Sequence, residues 1–105
     1  MAQFTVYQNP SKHSRQAYPY LLDIQHPILD ELNTRMVIPL GRLASFKENA
    51  MQTLSPVVEF DGEKLVLLTP QIASVSTRLL KEPVGSLAHF RDDIIAALDF
   101  AVSGF

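Results

Sequence analysis

Residues 55–68, Ser-Pro-Val-Val-Glu-Phe-Asp-Gly-Glu-Lys-Leu-Val-Leu-Leu, decide the fold. Two apolar runs flank Asp61-Gly62, the dipeptide that supplies the positive φ angles of a two-residue type I′ turn, so the stretch reads as a β-hairpin. That loop length sets Val58 opposite Leu65 and Val57 opposite Val66. Both sides of the ribbon are then apolar, and both are expected to be covered.

Downstream, Gln71 to Leu80 alternates Ile72, Ser74 and Ser76 against Ala73, Val75 and Thr77, which predicts another strand, closed by Pro83 and Gly85. Ser86 then stands as the N-cap of a terminal helix. On it Leu87, Phe90, Ile94, Leu98, Ala101 and Phe105 recur at three- and four-residue steps and form a single stripe. Asp92 and Asp93 fall in the early turns, where the helix dipole favours negative charge by about 0.3–1 kcal/mol. Phe100 falls off the stripe with His89, Asp93, Ala96 and Ser103. It is a large apolar group on the face expected to be wet.

Upstream, Gly41 to Leu54 shows no clean period and reads as a long loop with room for a short helix. Thr34 to Leu40 predicts a strand ending near Pro39, which cannot donate to a ladder and so points to an edge or a bulge. Tyr18 to Ile24 predicts a strand stopped by His26-Pro27. Ala2 to Gln8 sets Phe4 and Val6 against Gln3, Thr5 and Tyr7, the alternation of a half-buried strand. Between these two strands, Asn9 to Gln16 is a polar loop. Its Lys12, His13 and Arg15 form the one basic region of the chain, because no acidic residue precedes Asp23.

Many short strands and one terminal helix predict a mainly β fold, a small antiparallel barrel or curled sheet with a C-terminal α-helix appended. A chain of 105 residues has too little material for a second core, so we expect one domain over 1–105, with the barrel over about 1–85 and the helix over about 86–105. The composition is 47% hydrophobic and only 19% charged, richer in apolar side chains than a small monomer needs. A homodimer that covers part of that surface is expected. A net charge of −2 and a pI near 5.8 argue against a protein that holds nucleic acid by neutralising phosphates. Zero cysteines leave no disulfide framework and no thiolate zinc site. The first twenty residues carry no signal-peptide core, and no run approaches the roughly 18 apolar residues of a membrane span. A cytoplasmic protein is the expectation.

No motif of catalysis is present. The glycines at 41, 62, 85 and 104 are isolated, so no glycine-rich loop can cradle a phosphate, and there is no nucleophile elbow. His13, His26 and His89 are scattered, with no metal-ligand spacing among them. Asp92 and Asp93, adjacent on a helix, point about 100° apart and do not share one site. No catalytic residue, metal or cofactor is expected. Ile28-Leu29, set between Pro27 and Asp30-Glu31, is an apolar patch in a polar segment, and composition alone reads it as core more readily than as a contact.

The run Arg35-Met36-Val37-Ile38-Pro39-Leu40, taken with Gln3-Phe4, Val6-Tyr7, Asp23, Gln25, Pro56-Val57-Val58, Ala73-Ser74-Val75 and a helix ending in Gly104 and an apolar residue, resembles the CcdB family of plasmid-type toxins. The similarity spans essentially the whole chain. It implies an SH3-like barrel with a C-terminal helix, a homodimer, and a type II toxin that is not an enzyme. Such toxins bind the A subunit of DNA gyrase, trap it with its DNA cleaved, and are neutralised by a CcdA-like antitoxin. They meet DNA only through gyrase or the antitoxin complex. Carried over by position, gyrase contact falls on Ile28, Leu29, Asp99, Val102, Ser103, Gly104 and Phe105, and antitoxin contact on Lys12, His13, Ser14 and Arg15. Well-known members have a tryptophan where this chain has Ser103, and the chain has no Trp at all. Losing a stacking indole costs on the order of 2 kcal/mol unless Phe105 or Phe100 substitutes for it. Two rival readings stand beside this one. One is an endoribonuclease toxin of the MazF or Kid type, for which Arg15, Arg35 and His13 are the only nearby candidates. The other is a weakly toxic homologue that only binds antitoxin.

Overall fold

The computed structural model describes residues 2–46 and 54–104. Among them are seven strands: β1 (Thr5–Gln8), β2 (Tyr20–Asp23), β3 (Thr34–Arg42), β4 (Val57–Phe60), β5 (Glu63–Leu67), β6 (Ala73–Ser76) and β7 (Pro83–Ser86). A four-residue helix α1 (Leu43–Phe46) follows β3, and α2 (Arg91–Ser103) ends the described chain. The strands form one antiparallel sheet in the order β4-β5-β3-β2-β1-β7, with β6 also paired to β3. This is the curled small-barrel architecture that the pattern predicts. No helix among the described residues is long and apolar enough to cross a membrane.

The hairpin forms as its sequence dictates. Asp61 and Gly62 take φ angles of 53° and 75°, and Val57 pairs with Val66 and Val58 with Leu65. Only one expectation fails there. Val58, Leu65 and Val66 are buried, but Val57 lies on the edge strand and is 44% exposed.

Period-2 alternation sorts β1 to β3 into two cores, one on each face of the sheet. Val6, Leu22 and Ile38 join Phe4, Leu40, Val58 and the helix residues Ile94 and Ala97 in the larger core. Tyr7, Leu21 and Val37 pack with Leu80 in the smaller one on the other face. Phe4 takes φ 67°, so β1 starts at Thr5 and is shorter than the predicted Ala2–Gln8. The kink is held from both sides, since Phe4 donates its N–H to Asp23 and accepts from Leu87 through its carbonyl.

Pro39 does not mark an edge or end β3. The Pro39 carbonyl accepts from the Leu68 N–H at 3.1 Å, and the donor that proline lacks would face the same side of the strand. On that side β3 passes from β6, paired at residues 34–37, to β5, paired at 40–42. A proline at the changeover forfeits no ladder bond.

Gln71 to Leu80 is only partly a strand, because 3₁₀ turns at Thr69–Gln71 and Thr77–Leu79 bracket β6. Pro83 and Gly85 do not close that strand, which ends at Ser76, but lie within β7, an edge strand, where a proline is tolerated. Gly85 is there for space: a Cβ would stand 2.6 Å from Phe60 Cε1. Through that contact the two edge strands, β4 and β7, meet. Ser86 is not the N-cap of the terminal helix: it ends β7, and its Oγ accepts from the Ala88 N–H at 3.1 Å. A 3₁₀ turn, Ala88–Phe90, follows and leads into α2; their N-caps are Leu87 and Phe90, neither with a side-chain cap bond. Gly41 and Arg42 extend β3, α1 supplies the short helix expected beyond them, and residues 47–53 of that predicted loop lie outside the described residues.

Candidate functional site

Immediately after β2 the chain makes a 3₁₀ turn, Pro27–Leu29, with no buried residue. Ile28 is 80% exposed and Leu29 39%, so the reading of this pair as core does not hold. Pro27 pre-sets φ at the first position of the turn, and His26 Nδ1 accepts the Ile28 N–H at 3.1 Å.

Beneath the turn lies a buried polar network. Asp23 and Arg35 are 0% and 1% exposed. Arg35 donates to Asp23 Oδ2 from Nε at 3.0 Å and from Nη2 at 2.6 Å. Its Nη1 reaches Asp30 Oδ1 at 2.5 Å. Asp23 Oδ1 accepts the Gln25 N–H at 2.9 Å, and Gln25 spans two elements by donating Nε2 to the Leu29 carbonyl at 3.0 Å and accepting the Met36 N–H on Oε1 at 3.1 Å. Burial works against the charge on Arg35, but hydrogen bonds to Asp23 and Asp30 outweigh it and raise its pKa above the ordinary value. The same Arg35 hydrogen bond holds the Asp30 carboxyl below its ordinary range. An arginine so enclosed cannot serve an RNA phosphate without first abandoning both carboxylates.

The second surface is the end of α2. Asp92 and Asp93 occupy its first turn, as the dipole favours. Ile94 and Ala97 are buried, whereas Ala101 is exposed and Phe100 is half-buried rather than wet. The apolar stripe is thus covered only along its first half, and the last turn runs past the body of the barrel. Asp99, Val102, Ser103 and Gly104 are all exposed, Val102 at 87%. Gly104 takes φ 79° and donates its N–H to the Phe100 carbonyl, an αL cap. Phe105, expected to share this surface, lies outside the described residues.

The third surface is the basic loop between β1 and β2. Lys12 and His13 are exposed, and Ser14 and Arg15 are half-buried. Asn9 organises the loop: its Nδ2 donates to Ser14 Oγ at 3.0 Å and to the Tyr18 carbonyl at 2.7 Å, its Oδ1 accepts from the Ser11 N–H, and its carbonyl accepts from Arg15 Nε. Gln8, Pro10, Arg15, Leu79, Lys81 and Glu82 line a cleft of about 140 Å³ there.

Among the described residues, no hydrogen bond or ion pair links residues 27–29 with 99–104. No cluster of His, Cys, Asp or Glu suited to a metal occurs among the described residues. Sequence reasoning did not single out Asn9, His26, Gln25, Asp30 and Arg35 as the support for these surfaces. The signal was there in outline, since Asp23 and Gln25 interrupt an apolar strand and Arg35 opens an apolar run.

The protein family described as CcdB protein matches residues 3–104. Only Met1, Ala2 and Phe105 fall outside the match.

Proposed function

The chain belongs to the CcdB family, toxins of toxin–antitoxin modules, and from that premise we propose that it poisons DNA gyrase by binding rather than by catalysis. A homodimer presents the Ile28–Leu29 turn and the α2 tip to the gyrase A subunit, trapping the enzyme on cleaved DNA. A CcdA-like antitoxin docks on the loop of Lys12, His13, Ser14 and Arg15. One observation carries this reading. The two most exposed large apolar side chains among the described residues, Val102 and Ile28, are the ones that the resemblance assigns to gyrase. Large apolar groups held outside a packed body make good anchors, because ordering them on binding costs little further entropy.

The test is deletion of Val102–Phe105, which removes the exposed valine with the residues after it. The truncated protein should keep the melting temperature of the full chain, while its cleavage-complex formation with purified gyrase falls by about 30-fold or more, the equivalent of one anchor worth about 2 kcal/mol. Undiminished cleavage would refute the assignment. Ser103 keeps the second reading alive, that of a weakly toxic homologue whose main partner is the antitoxin. That protein would bind a CcdA-like peptide and leave supercoiling unaffected even at full length. An endoribonuclease draws no support from Arg35, whose guanidinium is buried and doubly paired.

A further inference from the structure

The turn at 27–29 is apolar and buries none of its residues fully, with Ile28 at 80% and Leu29 at 39% exposure, so the hydrophobic effect holds it only weakly. Left to itself, such a segment samples many conformers and loses that freedom on binding. Its fixed position comes from polar bonds that run inward to the barrel. Gln25 Nε2 holds the Leu29 carbonyl while Gln25 Oε1 holds the Met36 N–H of β3, so one amide rivets the turn to the strand beside it. Asp30, the residue that closes the turn, is tied to Arg35, which Asp23 anchors in the core. The two links reach adjacent residues, Leu29 and Asp30, and share one network inside the barrel, because Asp23 Oδ1 accepts the Gln25 N–H while Asp23 Oδ2 accepts from Arg35.

We propose that Gln25 and the Asp30–Arg35 pair are positioning residues for gyrase recognition, holding the turn so that Ile28 and Leu29 meet the partner already ordered. The inference rests on the gyrase-binding reading above. It assigns no contact with gyrase to Gln25 or Arg35, both of which are buried; their effect is transmitted through the turn. A buried network of this kind is weak evidence for added stability, since an apolar replacement of the same volume can serve a core equally well. A role in presenting the turn accounts for it directly.

The experiment compares Gln25→Met and Asp30→Ala with wild type and with two controls. Ile28→Ala removes a proposed contact, and Gly85→Ala lowers stability at the far edge of the sheet without touching the turn. Three quantities are read: affinity for purified gyrase A subunit, melting temperature, and amide exchange at Leu29 and Asp30. Positioning predicts that Gln25→Met and Asp30→Ala each weaken gyrase A binding by about tenfold, while Gly85→Ala at an equal or larger loss of melting temperature stays within about twofold of wild type. Exchange at Leu29 and Asp30 should speed up in the first two variants alone. Unchanged affinity in both variants overturns the proposal, as does an affinity loss that Gly85→Ala reproduces. Should Gln25→Met fail to fold, the half-exposed Asp30 still supplies a variant outside the core. If gyrase A binds no form of the protein, or ignores Ile28→Ala, the gyrase reading falls. The exchange arm then decides whether Gln25 and Asp30 order the turn, and unchanged exchange sinks that as well.

Discussion

Replacing Gly85 with alanine tests how the barrel is closed. The new Cβ would lie 2.6 Å from Cε1 and 2.7 Å from Cζ of Phe60, whereas carbon atoms in contact settle near 3.5 Å or beyond. The ring must therefore retreat by about 1 Å. It is not free to do so without loss, because Phe60 stands edge to face with Tyr20, centroids 5.2 Å apart and planes at 74°. Overpacking of this size costs about 1–3 kcal/mol, and disturbing the aromatic pair adds up to about 1 kcal/mol. Because Phe60 is half-buried, part of the strain is relieved by swinging the ring toward solvent, so the expected loss is about 2 kcal/mol. In a domain of this length 1 kcal/mol corresponds to about 4–8 °C, and the melting temperature should fall by about 10 °C in a circular dichroism or calorimetric scan. Phe60→Leu in the same background should recover part of the loss, giving a coupling of about 1 kcal/mol or more in the double-mutant cycle. A fall of less than about 2 °C, or strictly additive single mutants, would refute the closure argument.

Two further outcomes follow from the buried network. Arg35→Met strands the Asp23 carboxylate in the core and should destabilise the protein by about 3–5 kcal/mol in urea unfolding, with Asp23→Asn in the same chain restoring a large part of it. Acid should act through Asp30. Its folded pKa lies below the ordinary 3.8, so the folded state binds the proton less readily than the unfolded chain. The pair's contribution to stability is then complete above the unfolded value and drains away as pH falls through the lower folded one. A stability profile between about pH 5 and pH 2 should lose part of its acid limb in Asp30→Asn, and an unchanged limb would count against the Arg35 pairing.

The hairpin was legible because its determinants are local: Asp61-Gly62 dictates two φ angles, and period 2 does the rest. The alternation in β1 and β2 was legible for the same reason. What could not be read was anything set by a distant partner. Pro39 looks like a strand terminator until β6 and β5 are seen to change over on its donor side, and Gly85 looks like a breaker until Phe60 is seen against it. Phe4 reads as a strand residue because its positive φ is imposed by Asp23 and Leu87. At the candidate site, the exposed residues came from resemblance rather than from pattern, since composition by itself sent Ile28 and Leu29 to the core. Their supports could not be found by period at all, because a buried Arg–Asp–Gln network obeys complementarity of charge and hydrogen bonds, not hydropathy.

Ser103 lies at the tip of α2, where the resemblance to the CcdB family implies a tryptophan in well-known members. Its hydroxyl donates to the Asp99 carbonyl at 2.7 Å, a bond back into the helix that engages the side chain before any partner arrives. Gly104 is needed there for its φ of 79° and not for room, since a Cβ would meet nothing within 4 Å. With the serine engaged and the glycine spent on the cap, the apolar weight of the described tip falls on Val102. Full burial of a valine yields about 1.5 kcal/mol or somewhat more, proportional to area and without directional stacking. Under the proposed function, recognition then depends on several aliphatic contacts at once, two projections from each chain and each projection doubled by the dimer. In such an arrangement no single anchor carries recognition alone, and for that reason the ordering of the 27–29 turn by Gln25 and Asp30 weighs more here than it would in a toxin that also stacked an indole against its target.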